Sequence, residues 1–391
     1  MDSKPHNSSD FTLSGGGPFH KALRKLRIHN IKRAAVAALC MTWLPLVIIT
    51  GIDGTLFSGT QLPFLSDVAM QARVLVALPM LILIQFAIEV RVKAVLIYMI
   101  DTLVKEDERD IIRYKVLPRA RKLISSGLTE LLLLLGVIIS TISMVKGGVY
   151  GGLEEGTTSW MISADDKDSL STAGHWAVLI SIPIFQFLFA SWLWRYIVWT
   201  TLLFRLSKPD LKILPTHADG AAGLGIIMLA QKSFNLLFVV GSIIISGQFI
   251  LRLNKHPDQF HAIRNEAIGY ILISIAFILI PLLFFSGKLL KVKNKGLQQL
   301  SVLSASLSAK FEHEWVNDSP IDTRLDENKS DPSLLFDYAG MYDLLQKLRV
   351  IPVTLNDIAG LAIALFIPFI PILFVRFSVG ELLQKLGGML A

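Results

Sequence analysis

The stretch Ser125-Ser126-Gly127-Leu128-Thr129-Glu130-Leu131-Leu132-Leu133-Leu134-Leu135-Gly136-Val137-Ile138-Ile139-Ser140-Thr141-Ile142-Ser143-Met144-Val145 decides how the chain is read. Its apolar residues run on without alternating, so it is not a strand with one wet face. At a rise of about 1.5 Å per residue, a helix of this length crosses roughly 30 Å of hydrocarbon. Six further runs obey the same rule, at 34–53, 73–90, 176–196, 222–250, 267–287 and 357–376. A barrel would need many short alternating segments instead. The expected fold is therefore all-α, a polytopic membrane bundle of seven transmembrane helices. Composition agrees: 52% of residues are hydrophobic and 18% charged, where soluble domains carry about 25% charged residues.

Lys and Arg are retained on the cytoplasmic side, so their distribution gives an orientation. The N-terminal segment, the end of span 4 and the connections after spans 2, 4 and 6 hold 29 of them. The connections after spans 1, 3 and 5 and the tail after span 7 hold seven. The expected N-terminus is cytoplasmic and the C-terminus outside. The formal charge of +7 follows from that asymmetry and calls for no nucleic-acid partner. The lipid bilayer is the expected partner, with a second copy or a cytoplasmic protein as further expectations. The single cysteine, Cys40, excludes an intrachain disulfide and a cysteine-built metal site. Lys32 and Arg33 directly before the first run suit a retained anchor better than a cleaved signal.

Four regions follow: a basic segment at 1–33, a six-helix bundle at 34–286, a cytoplasmic helical module with a linker at 287–356, and the seventh helix with an amphipathic tail at 357–391. Pro79, Pro183 and Pro281 lie in spans 2, 4 and 6 at near-equal separations, which suggests three tandem helix hairpins with hinges. Proline is also common in membrane helices generally, and both readings stand. The loop at 146–175 is glycine-rich and acidic; its aspartates lack the spacing of a calcium loop, so it reads as solvated. In the module, Asp331 and Pro332 suit a helix start. Leu334, Leu335, Tyr338, Met341, Leu345 and Leu348 would then share one side.

Ionisable groups within spans are costly, so each is a candidate for function. They are Glu89, Glu130, Arg195 and Lys232. Two acids and two bases at similar depth can form an internal ion-pair cluster, or line a polar vestibule for a charged solute. In span 5, Gln231, Asn235, Ser242 and Ser246 fall within about 60° of one another at about 100° per residue, forming a polar stripe. Such a stripe can line a water-filled path or bind neighbouring helices.

The segment Leu214-Pro215-Thr216-His217-Ala218-Asp219-Gly220-Ala221-Ala222-Gly223-Leu224-Gly225 precedes span 5. Asp219 is placed to cap that helix, whose N-terminus could alternatively bind an anion. The segment is not a phosphate loop or dinucleotide fingerprint, and His217 with Asp219 do not suffice for a metal site. It resembles the Pro-Thr-His-Pro-Asp-x-Ala-Gly-Gly-Leu stretch of a group of uncharacterised bacterial multi-spanning membrane proteins. The likeness extends to Gln71–Pro79, Pro183–Leu188, Trp194-Arg195 and Glu381–Leu386, and covers roughly residue 63 onward. Ala218 and Ala222 depart from the pattern, which would loosen the turn. The resemblance implies a bacterial inner-membrane location and carries no activity.

Hydrolase and metalloprotease motifs are missing and no histidine pair lies within spans, so neither an enzyme nor a cofactor or metal is expected. The expected function is a channel or transporter for a small solute or ion. Its pathway candidates are Glu89, Glu130, Arg195, His217, Asp219, Gln231, Lys232 and Asn235. The alternative is a membrane-embedded sensor or assembly scaffold without transport.

Overall fold

The computed structural model describes residues 11–13, 31–146, 158–163, 169–313 and 333–376. The described residues form seven helices long and apolar enough to cross a membrane: Lys32–Ile52, Val68–Leu103, Glu106–Lys146, Thr172–Leu206, Leu224–Lys255, Pro257–Leu283 and Leu355–Val375. The fold is an all-α seven-helix bundle without strands among the described residues. Several helices outrun the apolar runs that announce them. Span 2 has 36 residues, about 54 Å at the helical rise, so its ends emerge from a roughly 30 Å hydrocarbon layer or it tilts. The third helical stretch is divided by Ser126, whose extended backbone interrupts it. Gly127–Lys146 is the spanning part. Before the break, Leu117–Ser125 buries Leu117, Ala120 and Ile124 while carrying Arg119, Arg121 and Lys122, as an interfacial helix does.

Two prolines reshape their helices by one device. Pro79 and Pro183 cannot donate a backbone hydrogen bond, and each ring crowds the carbonyl four residues earlier. The helix answers by widening to a π turn just upstream, Ala72–Ala77 in span 2 and Ala177–Ser181 in span 4. In both, the residue next after the turn bonds five residues back, Leu78 N–H to Arg73 O and Ile182 N–H to Ala177 O. Pro118 follows a third such turn, Ile112–Val116. Pro281 differs: it sits inside an α-helix that ends at Leu283.

Span 5 is the axis of the bundle and packs against spans 2, 4, 6 and 7. In its most apolar window 61% of residues are buried, against 6% for span 3, which lies at the periphery against span 4. Glycine permits the close approaches. A Cβ on Gly247 would stand 2.9 Å from the Ala69 backbone, and one on Gly241 would collide with the Tyr270 hydroxyl, which donates to Phe238 O at 2.6 Å. Phe11 and Leu13 of the basic N-terminal segment are buried in the same core as spans 2, 4 and 5.

Contacts between connections define two faces. On one, the connection after span 2 meets the one after span 4: Lys212 N–H donates to Leu103 O at 2.6 Å, and Lys105 pairs with Asp210 at 3.0 Å. The connection after span 6 joins them, its helix Ser286–Phe311 placing Lys288 Nζ on Lys208 O and Pro209 O. This is the basic face. The helix Ser333–Gln346 packs on Ser286–Phe311, with Leu345 against Gly296 and Lys293 Nζ bonding Gln346 O and Leu348 O at 2.7 and 2.8 Å. Of that expected apolar side, Leu345 and Leu348 are buried, Tyr338 is half-buried and Met341 is exposed. Asp331, Pro332 and the linker lie outside the described residues, as do most of the acidic loop and the C-terminal tail.

On the opposite face, the connections after spans 1 and 3 meet, with Leu62 N–H bonded to Thr158 O and Trp160 N–H to Leu62 O, both at 3.1 Å. Asp67 locks this cap. Its Oδ1 accepts from Met70 N–H at 2.9 Å and its Oδ2 from Trp160 Nε1 at 3.1 Å, with the Arg73 charge close by.

Candidate functional site

The turn before span 5 is organised by a single carboxylate. Asp219 Oδ1 accepts from Ala221 N–H at 2.9 Å and Gly223 N–H at 3.0 Å, and Oδ2 accepts from Gly225 N–H at 2.9 Å. His217 Nδ1 stands 2.9 Å from Oδ1. The helix N-terminus, which could have bound an external anion, is thus filled by the chain's own. Burial alone would raise the Asp219 pKa, but the hydrogen bonds from Gly223, Ala221, Gly225 and His217 outweigh it and hold the carboxyl below its ordinary value. Arg349, beyond the Ser333–Gln346 helix, fastens the turn from outside. Its N–H donates to Gly220 O at 2.9 Å, its Nε to Gly220 O at 3.3 Å, and its Nη2 to Asp219 O.

Wrapping three amides around one carboxylate needs left-handed backbone. Gly220, Ala222 and Gly223 have φ of +61°, +54° and +91°. The turn is tight, not loosened by alanine; Ala222 adopts the strained conformation in place of a glycine. Ala222→Gly should therefore leave the fold intact and raise stability by about 0.5 kcal/mol, the relief of strain outweighing the glycine's chain entropy. Gly223→Ala should cost about 2 kcal/mol, since its Cβ would press on Leu103 and the Tyr98 hydroxyl. Thermal unfolding of the two variants in detergent gives opposite signs if the turn is built this way.

Within the bundle the four charges separate into two groups. Arg195 lies 4.7 Å over the Trp192 ring and interacts with the charges of both Glu89 and Glu130, so spans 2, 3 and 4 share this cluster. Lys232 joins neither acid. Its Nζ is 2.5 Å from Asp357 Oδ1 at the start of span 7, where Asp357 also forms a capping box with Thr354. Arg91 in span 2 donates to Ser233 Oγ in span 5 at 3.0 Å. Asp357, Arg91 and Arg349 were not singled out from the sequence. Asp357 reads there as an ordinary cap, and nothing local assigns the other two to span 5.

The polar stripe of span 5 faces inward and is sealed. Gln231 and Ser242 have no exposed surface, and Asn235 and Ser246 almost none. Asn235 Nδ2 reaches Leu361 O of span 7 at 3.5 Å, and Ser242 Oγ returns to Phe238 O at 3.3 Å. Gln231 differs. Neither its Oε1 nor its Nε2 has a hydrogen-bond partner among the described residues, and Asn235 Oδ1 has none either. Trp199 of span 4, stacked on Phe234 with ring centroids 6.1 Å apart, is fully buried with its Nε1 likewise unpartnered.

The structure therefore makes the candidates three separate places: the Asp219–His217 turn, the Arg195–Glu89–Glu130 cluster, and the Gln231–Asn235 interior flanked by Lys232. No group of three metal-ligating side chains occurs among the described residues. In comparisons with known proteins, no family model, curated protein or solved structure matches the chain.

Proposed function

We propose that this integral membrane protein passes a small solute through the interior beside span 5, and that the conformation described is a closed one. The observation that carries the reading is Gln231. An amide buried without partners costs about 1–3 kcal/mol for each hydrogen bond left unmade. A membrane helix can avoid that cost with leucine, so retaining glutamine in the central helix makes sense where a passing solute or water completes its bonds. The π turns ahead of Pro79 and Pro183 supply places where spans 2 and 4 can bend to admit one. The charge asymmetry supports a cytoplasmic basic face and N-terminus, and the Pro-Thr-His resemblance supports a bacterial inner membrane.

Gln231→Leu separates cost from function. Thermal unfolding should show a stability gain of about 1–3 kcal/mol, while solute flux into reconstituted vesicles falls toward that of protein-free vesicles. Flux equal to the parent's would remove the interior beside Gln231 from consideration as the route.

A scaffold reading has one observation in its favour. An apolar groove of about 620 Å³ is formed by the connection into span 7 and that span's first turn, lined by Arg349, Ile351, Val353, Leu355 and Ile358 among others. Ile351→Asp should release a bound protein partner there without changing flux, and co-purification from membranes measures it.

A further inference from the structure

The unpartnered atoms around Gln231 also specify what kind of solute the interior suits; this step rests on the transport reading above. Four unpartnered buried polar atoms belong to one turn of span 5 and to the ring stacked on Phe234 of that turn. Two are donors, Gln231 Nε2 and Trp199 Nε1, and two are carbonyl acceptors, Gln231 Oε1 and Asn235 Oδ1. Gln231 and Asn235 are one helical turn apart on the same face, and Trp199 stacks on Phe234 between them in sequence. None of the four is ionisable.

The surrounding charges do not alter that balance. Lys232 is matched by Asp357, and Arg195 is matched by Glu89 and Glu130. Arg91 is bonded to the Ser233 hydroxyl. A cation entering here would meet two carbonyl oxygens but also two N–H groups turned the wrong way. An anion would meet the reverse. Either would exchange its full hydration shell for two matching groups, and dehydration is the dominant cost of moving an ion into a low-dielectric interior. A neutral molecule bearing both donors and acceptors matches both kinds of atom.

We infer that the interior beside Gln231 is a binding site for a small electroneutral solute of the carboxamide or urea type, and that it excludes ions. A carboxamide is the direct complement of the Gln231 side chain, its N–H donating to Oε1 while its oxygen accepts from Nε2. Sites that hydrogen-bond their ligand reject those lacking the matching groups, because the site's own atoms are then left unpaired.

The test uses the full-length protein in vesicles, with acetamide as the neutral probe and rubidium and chloride as ionic probes. Light scattering after an osmotic step should show faster acetamide entry than in protein-free vesicles, with no rubidium or chloride flux. Gln231→Leu should reduce the acetamide rate roughly a hundredfold, the equivalent of two lost hydrogen bonds. Trp199→Phe, which keeps the stacked ring but removes its N–H, should reduce it severalfold. Acetamide should also raise the thermal midpoint of the parent protein but not of Gln231→Leu. Rubidium or chloride flux without acetamide entry would overturn this inference while leaving transport standing. A Gln231-dependent thermal shift without any flux would uphold the site and overturn transport. Absence of both flux and shift would overturn both.

Discussion

Asp219→Ala is expected to lower the stability of the solubilised protein by about 3 kcal/mol, from loss of several hydrogen bonds to one charged acceptor in a partly exposed site. Three backbone N–H groups lose their acceptor together, at Ala221, Gly223 and Gly225, and the left-handed residues that brought them there lose their reason to stay. Arg349 then grips a turn that no longer holds its shape, so the connection to span 7 should loosen as well. Asp219→Asn should cost less, because its side-chain oxygen can replace Oδ1 for two of the three amides. The pH dependence has a definite sign. The folded carboxyl lies below its ordinary 3.8, so the contribution is fully present above that value and is lost as pH falls through the folded pKa. Unfolding curves of the parent should therefore weaken below pH 3.8 more steeply than those of Asp219→Asn. Equal midpoints for the parent and Asp219→Ala would show that the carboxylate does not organise the turn.

That turn also shows what a sequence can and cannot disclose. Asp219 is legible as a cap because an acidic residue before a long apolar helix has few other local uses. The count of amides that it gathers is not legible, since it depends on Ala222 accepting a positive φ that alanine usually avoids. The seven spans are the most legible feature, because lipid imposes length and hydrophobicity on each helix separately. Lengths beyond the membrane are less so; the extension of span 2 to Leu103 contains Arg91, Lys93 and Asp101 and no longer looks like a spanning helix. Pairing between helices is least legible. Lys232 lies at a depth similar to that of Glu89 and Glu130, but its partner is Asp357, 125 positions away, because span 7 returns beside span 5. The periodicity that places Gln231, Asn235, Ser242 and Ser246 on one face is visible in the chain. That the face is closed, and that Gln231 alone of the four has neither amide atom bonded, emerges only when spans 4 and 7 are in place.

Arg195→Leu should cost about 3 kcal/mol, the lower end of the loss seen when one member of a buried charge cluster is removed, because Arg195, Glu89 and Glu130 are half-buried. Leucine fits the apolar surroundings of span 4, so size and hydrophobicity are not the source of the loss. The source is Glu89 and Glu130, two carboxylates from different helices that would repel each other in a medium with little water. Adding Glu89→Gln and Glu130→Gln to Arg195→Leu removes both charges, so the triple variant should recover most of the stability even though it is three substitutions from the parent. Arg195→Lys keeps the charge but loses the planar group over Trp192, and should cost about 1 kcal/mol. Scanning fluorimetry of the four proteins gives the order parent, Arg195→Lys, triple variant, Arg195→Leu. If Arg195→Leu costs under about 1 kcal/mol, as exposed pairs do, the cluster is hydrated and opens to water. In that case spans 2, 3 and 4 would enclose an aqueous vestibule, and a solute would pass Glu89 and Glu130 before it reached span 5.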